Sequence, residues 1–167
     1  QLPVLKNIKC IYDRQFTGKI KTVTLSKTVT NKYFVSILVD NQKELPVKKP
    51  VTESTTVGID IGIKTLAVLS NGTEIPNPKW FRNAQKNLRV QQRSLARKKK
   101  GSNRREKQKL VVARVHEKIR NQRSDYLHKA TTKIVQEFDT IVLENLTIKG
   151  MMQNRHLSKA IGEIGWY

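Results

Sequence analysis

The 167-residue sequence predicts an α/β fold, a mixed β-sheet with a long basic helical insertion, preceded by a small hairpin domain. Three observations predict it. The first third of the chain alternates apolar and polar residues with the period of half-buried strands. Residues 57–69 and 140–146 are β-branched runs, each interrupted by one carboxylate. Between these runs lies a segment whose apolar residues recur every three or four positions, the spacing of a helix.

Taken in order, "GKIKTVTLS" (18–26) and "KYFVSILVD" (32–40) read as two strands. Thr30-Asn31 between them suits a turn, so the pair is expected to form a hairpin. Residues 41–56 lose all periodicity and carry two prolines, as a linker does, which divides the chain into domains 1–50 and 51–167. Strands are then expected at 57–61 and 66–69, with Asn71-Gly72 as a hairpin turn into a short third. After Pro76 and Pro78 the composition changes. Residues 79–133 hold 19 Lys and Arg against 3 Asp and Glu, and they read as helical with a break at Gly101-Ser102-Asn103. Val112, Val115, Ile119, Leu127, Ala130, Ile134 and Phe138 supply an apolar face with one longer gap. A strand over 140–146 follows. After Lys149-Gly150 a polar turn leads into the start of another helix. Three strands, a long helix, a strand and a helix is the order of the ribonuclease-H-like fold, whose fourth strand returns parallel to the first by a right-handed crossover.

The formal net charge of +20 points to a polyanionic partner, nucleic acid or an acidic membrane face. No apolar run approaches the roughly 20 residues of a membrane span. Cys10 is the single cysteine, which excludes a disulfide framework and a multi-thiolate metal site and suits a reducing, cytoplasmic setting. The chain begins with Gln1 and stops at "GEIGWY", and is expected to be a piece of something longer.

Asp60 and Glu144 are the candidate catalytic and metal-binding residues. In "VGIDIGIKTLAVL" alternation puts Val57, Ile59 and Ile61 on one face and Gly58, Asp60 and Gly62 on the other, so two small residues flank the carboxylate. A carboxylate buried in a central strand is costly without a partner. Glu144, after Ile141, Val142 and Leu143, poses the same problem. The crossover would place the two strands side by side, and a divalent cation would then offset the repulsion of two acids facing one cleft. Pairing of each acid with one of the many Lys or Arg residues is the plainer alternative. Sugar kinases and actin-like ATPases also open on an Asp-x-Gly strand and turn, but residues 66–167 offer neither a second phosphate loop nor a glycine-rich adenosine site.

Arg93, Arg97, Lys98, Lys99, Lys100, Arg104, Arg105 and Lys107 cluster around the Gly101 break, and Arg123 lies further along. Few acids are interspersed, unlike an ordinary solvated surface, so these residues are candidate contacts to nucleic-acid phosphates. Aromatic residues here are limited to Trp80, Phe81 and Tyr126, too few for base stacking to be the main mode. His128 stands three residues after Asp125 on the same helix, close enough to interact; it is read as a satisfied structural histidine, with catalysis by the pair as the alternative. Trp80 and Trp166 are read as packing residues.

"VGIDIGIKTLAVLSNG", "RKKKGSNRREKQK", "HEKIRNQRSDYLHKATTKIV" and "IVLENLTIKGMM" together resemble the TnpB (OrfB) proteins of prokaryotic insertion sequences, compact relatives of the type V CRISPR effectors. The resemblance covers nearly the whole chain, because "GKIKTVTLSKTVTNKYFVSILVD" resembles the back half of that family's wedge-like β-barrel. It implies a RuvC-type nuclease that uses a guide RNA to cut a matching DNA in the cytoplasm, at the nucleoid, with Mg²⁺ or Mn²⁺ as cofactor. Asp60 matches the first acid of the RuvC site and Glu144 the second. The family's third acid and its four-cysteine zinc motif lie downstream, and this sequence has neither, so zinc belongs only to that further part. The resemblance therefore implies a fragment of a transposon-associated nuclease that has little activity alone. The alternative is an inactive nucleic-acid-binding module or regulator of the same family.

Overall fold

The computed structural model describes residues 8–44 and 46–164. Trp166 lies outside them. The chain forms two compact units, Gln1–Val47 and Lys48–Tyr167.

In the first unit β1 (Lys19–Lys27) pairs antiparallel with β2 (Tyr33–Asp40). The turn is closed by Thr28 N–H donating to Lys32 O at 2.8 Å, and Asn31 occupies the left-handed region at φ 64°. Asn tolerates that conformation, which explains its place there. Val23 faces Ile37 and Leu25 faces Val35 across the ribbon, yet this apolar side remains open. Among the described residues the unit holds this one ribbon.

The second unit carries a four-stranded sheet of order β5-β4-β3-β6. These strands are β3 (Thr56–Ile61), β4 (Thr65–Leu69), β5 (Glu74–Pro76) and β6 (Thr140–Leu143). The β3–β4 and β4–β5 pairs are antiparallel hairpins. The Asn71-Gly72 turn is built as its residues suggest. Gly72 takes φ 83°, and Asn71 Oδ1 accepts from Thr73 N at 3.0 Å. Pro76 closes β5 on the sheet edge, where its missing N–H costs no ladder bond.

From β5 the chain enters a helical hairpin, α1 (Trp80–Ala96) and α2 (Asn103–Glu137), and returns through β6, which pairs parallel with β3. The break at Gly101 is real. Gly101 has φ 80°, and Ser102 caps α2 by accepting from Arg105 N. Gln108 Nε2 donates to Gln91 Oε1 at 2.9 Å and Trp80 meets Tyr126 edge-on at 5.2 Å, so the two helices run antiparallel. The lower half of α2 lays Leu127, Ala130 and Ile134 against Ile59, Ile61, Ile75, Ile141 and Leu143 around an apolar cavity of about 270 Å³. Val57, Leu69 and Ile134 form the dense centre, with Phe138 packed on it.

After β6 the chain forms two short helices, α3 (Ile148–Gln153) and α4 (Ser158–Ile164). Lys149-Gly150 thus falls inside α3, and the polar turn expected there comes later, at Asn154-Arg155-His156. Asn154 supplies it, with its Oδ1 accepting from His156 N at 3.0 Å. Ile161 of α4 is fully buried, and α4 packs against α1.

Candidate active site and nucleic-acid interface

The register between β3 and β6 places the two acids. Thr56 faces Thr140, Val57 faces Ile141, Gly58 faces Val142 and Ile59 faces Leu143, a constant offset of 84. Continued by one further rung, the same offset would set Glu144, the residue just past β6, opposite Asp60. Val57, Ile59, Ile141 and Leu143 turn to the α2 side, where the cavity lies. Continued alternation would send Asp60 and Glu144 to the other face, away from α2. Neighbouring strands lie about 4.8 Å apart, so the two positions are within reach of one ligand.

The expectation that these carboxylates are buried is overturned. Both residues are exposed; β6 is the edge strand, and the packing described for α2 lies on the opposite face. Neither carboxylate is in a hydrogen bond or salt bridge with another described residue. Simple pairing with Lys or Arg is therefore not what holds them. The two glycines differ in role. A Cβ on Gly58 would meet Ser70 Cβ at 3.7 Å and Ser70 Oγ at 3.9 Å, ordinary contacts. On Gly62 it would stand 2.8 Å from Thr65 O, inside the tight β3–β4 turn closed by Gly62 N–H donating to Leu66 O. Gly62 thus serves the turn rather than ligand access. Hard oxygen donors on adjacent strands fit a cation such as Mg²⁺ or Mn²⁺ by donor type, but among the described residues no third acid, His or Cys joins them.

The basic cluster occupies the far end of the helical hairpin. Arg93, Arg97, Lys99, Lys100, Arg104 and Lys107 are exposed and Lys98 is half-exposed, and none is in a salt bridge among the described residues. Val90, Arg93, Ser94, Arg97 and Lys98 line one open groove. Lys86 and Arg89 escaped notice in the sequence. They stand seven and four residues before Arg93, so helical periodicity extends its stripe along α1, and both are exposed. Arg105 and Arg123 are set differently. Arg105 Nη1 donates to Leu95 O at 2.7 Å and Lys98 O at 3.0 Å. Arg123 Nη1 reaches Gly162 O of α4 at 3.4 Å.

At the base of the hairpin, Tyr126 donates its hydroxyl to Pro76 O at 2.8 Å, and desolvation raises its pKa above the ordinary 10.0. Trp80 packs on this ring, as a packing residue should. The expected Asp125–His128 pair is absent. Asp125 pairs instead with Lys129 Nζ at 2.7 Å, one turn on, and His128 is exposed.

A family model, OrfB_IS605, described as a probable transposase, matches residues 36–155. The chain belongs to this OrfB_IS605 family. Curated relatives support the assignment. A Streptomyces pristinaespiralis protein named "Putative RNA-guided DNA endonuclease" is 41% identical over 145 residues, covering 87% of this chain and 35% of its own length. InsQ of Escherichia coli K12, given the same description, is 37% identical over 99% of this chain and 44% of its own. A Mycobacterium tuberculosis relative is 30% identical over 75% of this chain and 28% of its own length. This OrfB_IS605 chain thus spans less than half the length of the relatives it matches. No helix among its described residues is long and apolar enough to cross a membrane.

Proposed function

We propose that this chain is a fragment of a transposon-associated, metal-dependent, RNA-guided DNA endonuclease. Its sheet is then a ribonuclease-H-like (RuvC-type) core, its first ribbon part of a wedge-like β-barrel, and Asp60 and Glu144 its first two acids. The reading is supported chiefly by the constant offset of 84 between β3 and β6, which, continued by one rung, would set both acids opposite each other on the face away from α2. Membership of the OrfB_IS605 family and the names of its relatives support the nucleic-acid partners, guide RNA and target DNA.

The chemistry follows from the residues present. A bound divalent cation supplies Lewis-acid stabilisation of a phosphoryl oxygen and lowers the pKa of a bound water. Asp60 and Glu144 would hold it through carboxylate oxygens, and the exposed cations of the hairpin would hold the nucleic-acid backbone against the molecule. Phosphodiester hydrolysis of the two-metal type needs more donors than two carboxylates. That shortage favours the second reading, a nucleic-acid-binding module of the family without cutting activity, for the chain taken alone.

A Mn²⁺ titration followed by a nuclease assay on duplex DNA tests this. Weak Mn²⁺ binding that is lost in Asp60→Ala and in Glu144→Ala, with little or no cleavage, is the expected result. Mn²⁺ binding unaffected by either substitution would sink the acid pair, and robust cleavage by the chain would refute the claim that two acids are too few.

A further inference from the structure

The connection between α1 and α2 is held from the α2 side. A helix leaves its last carbonyls without intrahelical partners, and around the end of α1 two carbonyls accept from one side chain of α2. Arg105 Nη1 donates to Leu95 O in the last turn of α1, which also accepts from Lys98 N, and to Lys98 O just past the helix end. Ser102 Oγ adds a bond to Lys99 O at 2.8 Å while accepting from Arg105 N at 3.3 Å. The three consecutive lysines, Lys98, Lys99 and Lys100, ride on the backbone so fixed. Arg105 is also half-buried, unlike Arg104 beside it.

We propose that Arg105 is a positioning residue: it acts on nucleic acid through Lys98, Lys99 and Lys100, by bracketing the carbonyls of Leu95 and Lys98. This rests on the nucleic-acid reading above and removes Arg105 from the set of direct phosphate contacts. The two roles differ in how they respond to lysine. As a phosphate contact, a lysine at 105 would serve nearly as well, being a point charge of the same sign. As a bracket it would not, because lysine lacks the planar, pre-organised fork and reaches one bond less far.

The test uses Arg105→Lys and, as a charge-conserving control on the same helical turn, Lys109→Arg, whose native side chain pairs with Glu106 at 2.7 Å. Binding of a short fluorescein-labelled duplex DNA is followed by anisotropy, and amide hydrogen exchange is followed over residues 97–102. Arg105→Lys is expected to bind on the order of fivefold more weakly, as for loss of one net hydrogen bond, and to exchange faster at 97–102 only. Lys109→Arg should match the wild type in both. Wild-type affinity in Arg105→Lys overturns the proposal, as expected of a direct contact, and so does weakened binding with unchanged exchange, which would separate the loss of affinity from the connection that Arg105 brackets. Absence of salt-dependent binding by the wild type would refute the nucleic-acid reading instead, and the exchange comparison still decides whether Arg105 holds the connection.

Discussion

Gly58 and Gly62 flank Asp60 symmetrically in the sequence, yet the fold uses them for different ends. The carbonyl of Thr65 would lie 2.8 Å from a Cβ at position 62, whereas position 58 has only a side-chain neighbour at ordinary contact. Gly62→Ala must therefore push backbone against backbone in a two-strand turn, and is expected to destabilise by about 1–3 kcal/mol. Gly58→Ala should stay within about 1 kcal/mol of the wild type, since an alanine there meets no closer atom. Urea denaturation of both variants checks this, and equal losses would mean that the turn relaxes freely. The pattern of "GIDIG" was legible as a strand with an acid on its small-residue face. What could not be read was exposure. Periodicity assigns a residue to a face but does not say whether a later element covers that face, and here both acids are exposed.

At the scale of the elements, the helical hairpin shows what a break signal can carry. Gly101-Ser102-Asn103 was legible because a left-handed glycine followed by a capping serine is local chemistry. That break was legible only as an interruption in a long helix; neither the antiparallel return of α2 along α1 nor the commitment of Arg105 to the carbonyls of Leu95 and Lys98 was read from it. A charge run shows which residues are cationic and not which of them the fold uses internally. The remaining cations are Arg93, Arg97, Lys98, Lys99, Lys100, Arg104 and Lys107, without salt-bridge partners among the described residues. Each one that meets a phosphate displaces a counterion, so log K for duplex DNA should fall with log salt by about 0.9 per contact. Substituting Arg97 or Lys100 by Gln should lower that slope by about 0.9 each, with little change in sequence preference. Anisotropy titrations at several salt concentrations measure it. A slope unchanged in both variants would remove the hairpin tip from the interface.

For the whole molecule, charge and apolar exposure act in opposite directions. The net charge of +20 keeps copies apart at low ionic strength. Against this, β6 ends the sheet with a free edge, and its apolar residues are open on both faces: Val142 is 55% exposed on the acid-bearing side and Leu143 56% on the α2 side. The sequence disclosed β6 as a β-branched run, which ordinarily signals a strand buried on both sides. That expectation holds for composition and fails for this chain, whose length is less than half that of the relatives it matches. An uncovered apolar edge is a site for strand-to-strand association, and salt should expose the tendency by screening the repulsion between copies. Raising the ionic strength is therefore expected to weaken DNA binding while promoting self-association, two responses of opposite sign from one chain. Leu143→Lys adds a charge to the free edge at a half-open position, which blunts such edges in natural sheets. In sedimentation at high salt the variant should stay monomeric where the wild type associates, while DNA affinity at low salt changes little because residue 143 is far in sequence from the hairpin tip and faces the α2 side. Association that persists equally in Leu143→Lys would place the contact elsewhere, for example on the open apolar side of the β1–β2 ribbon.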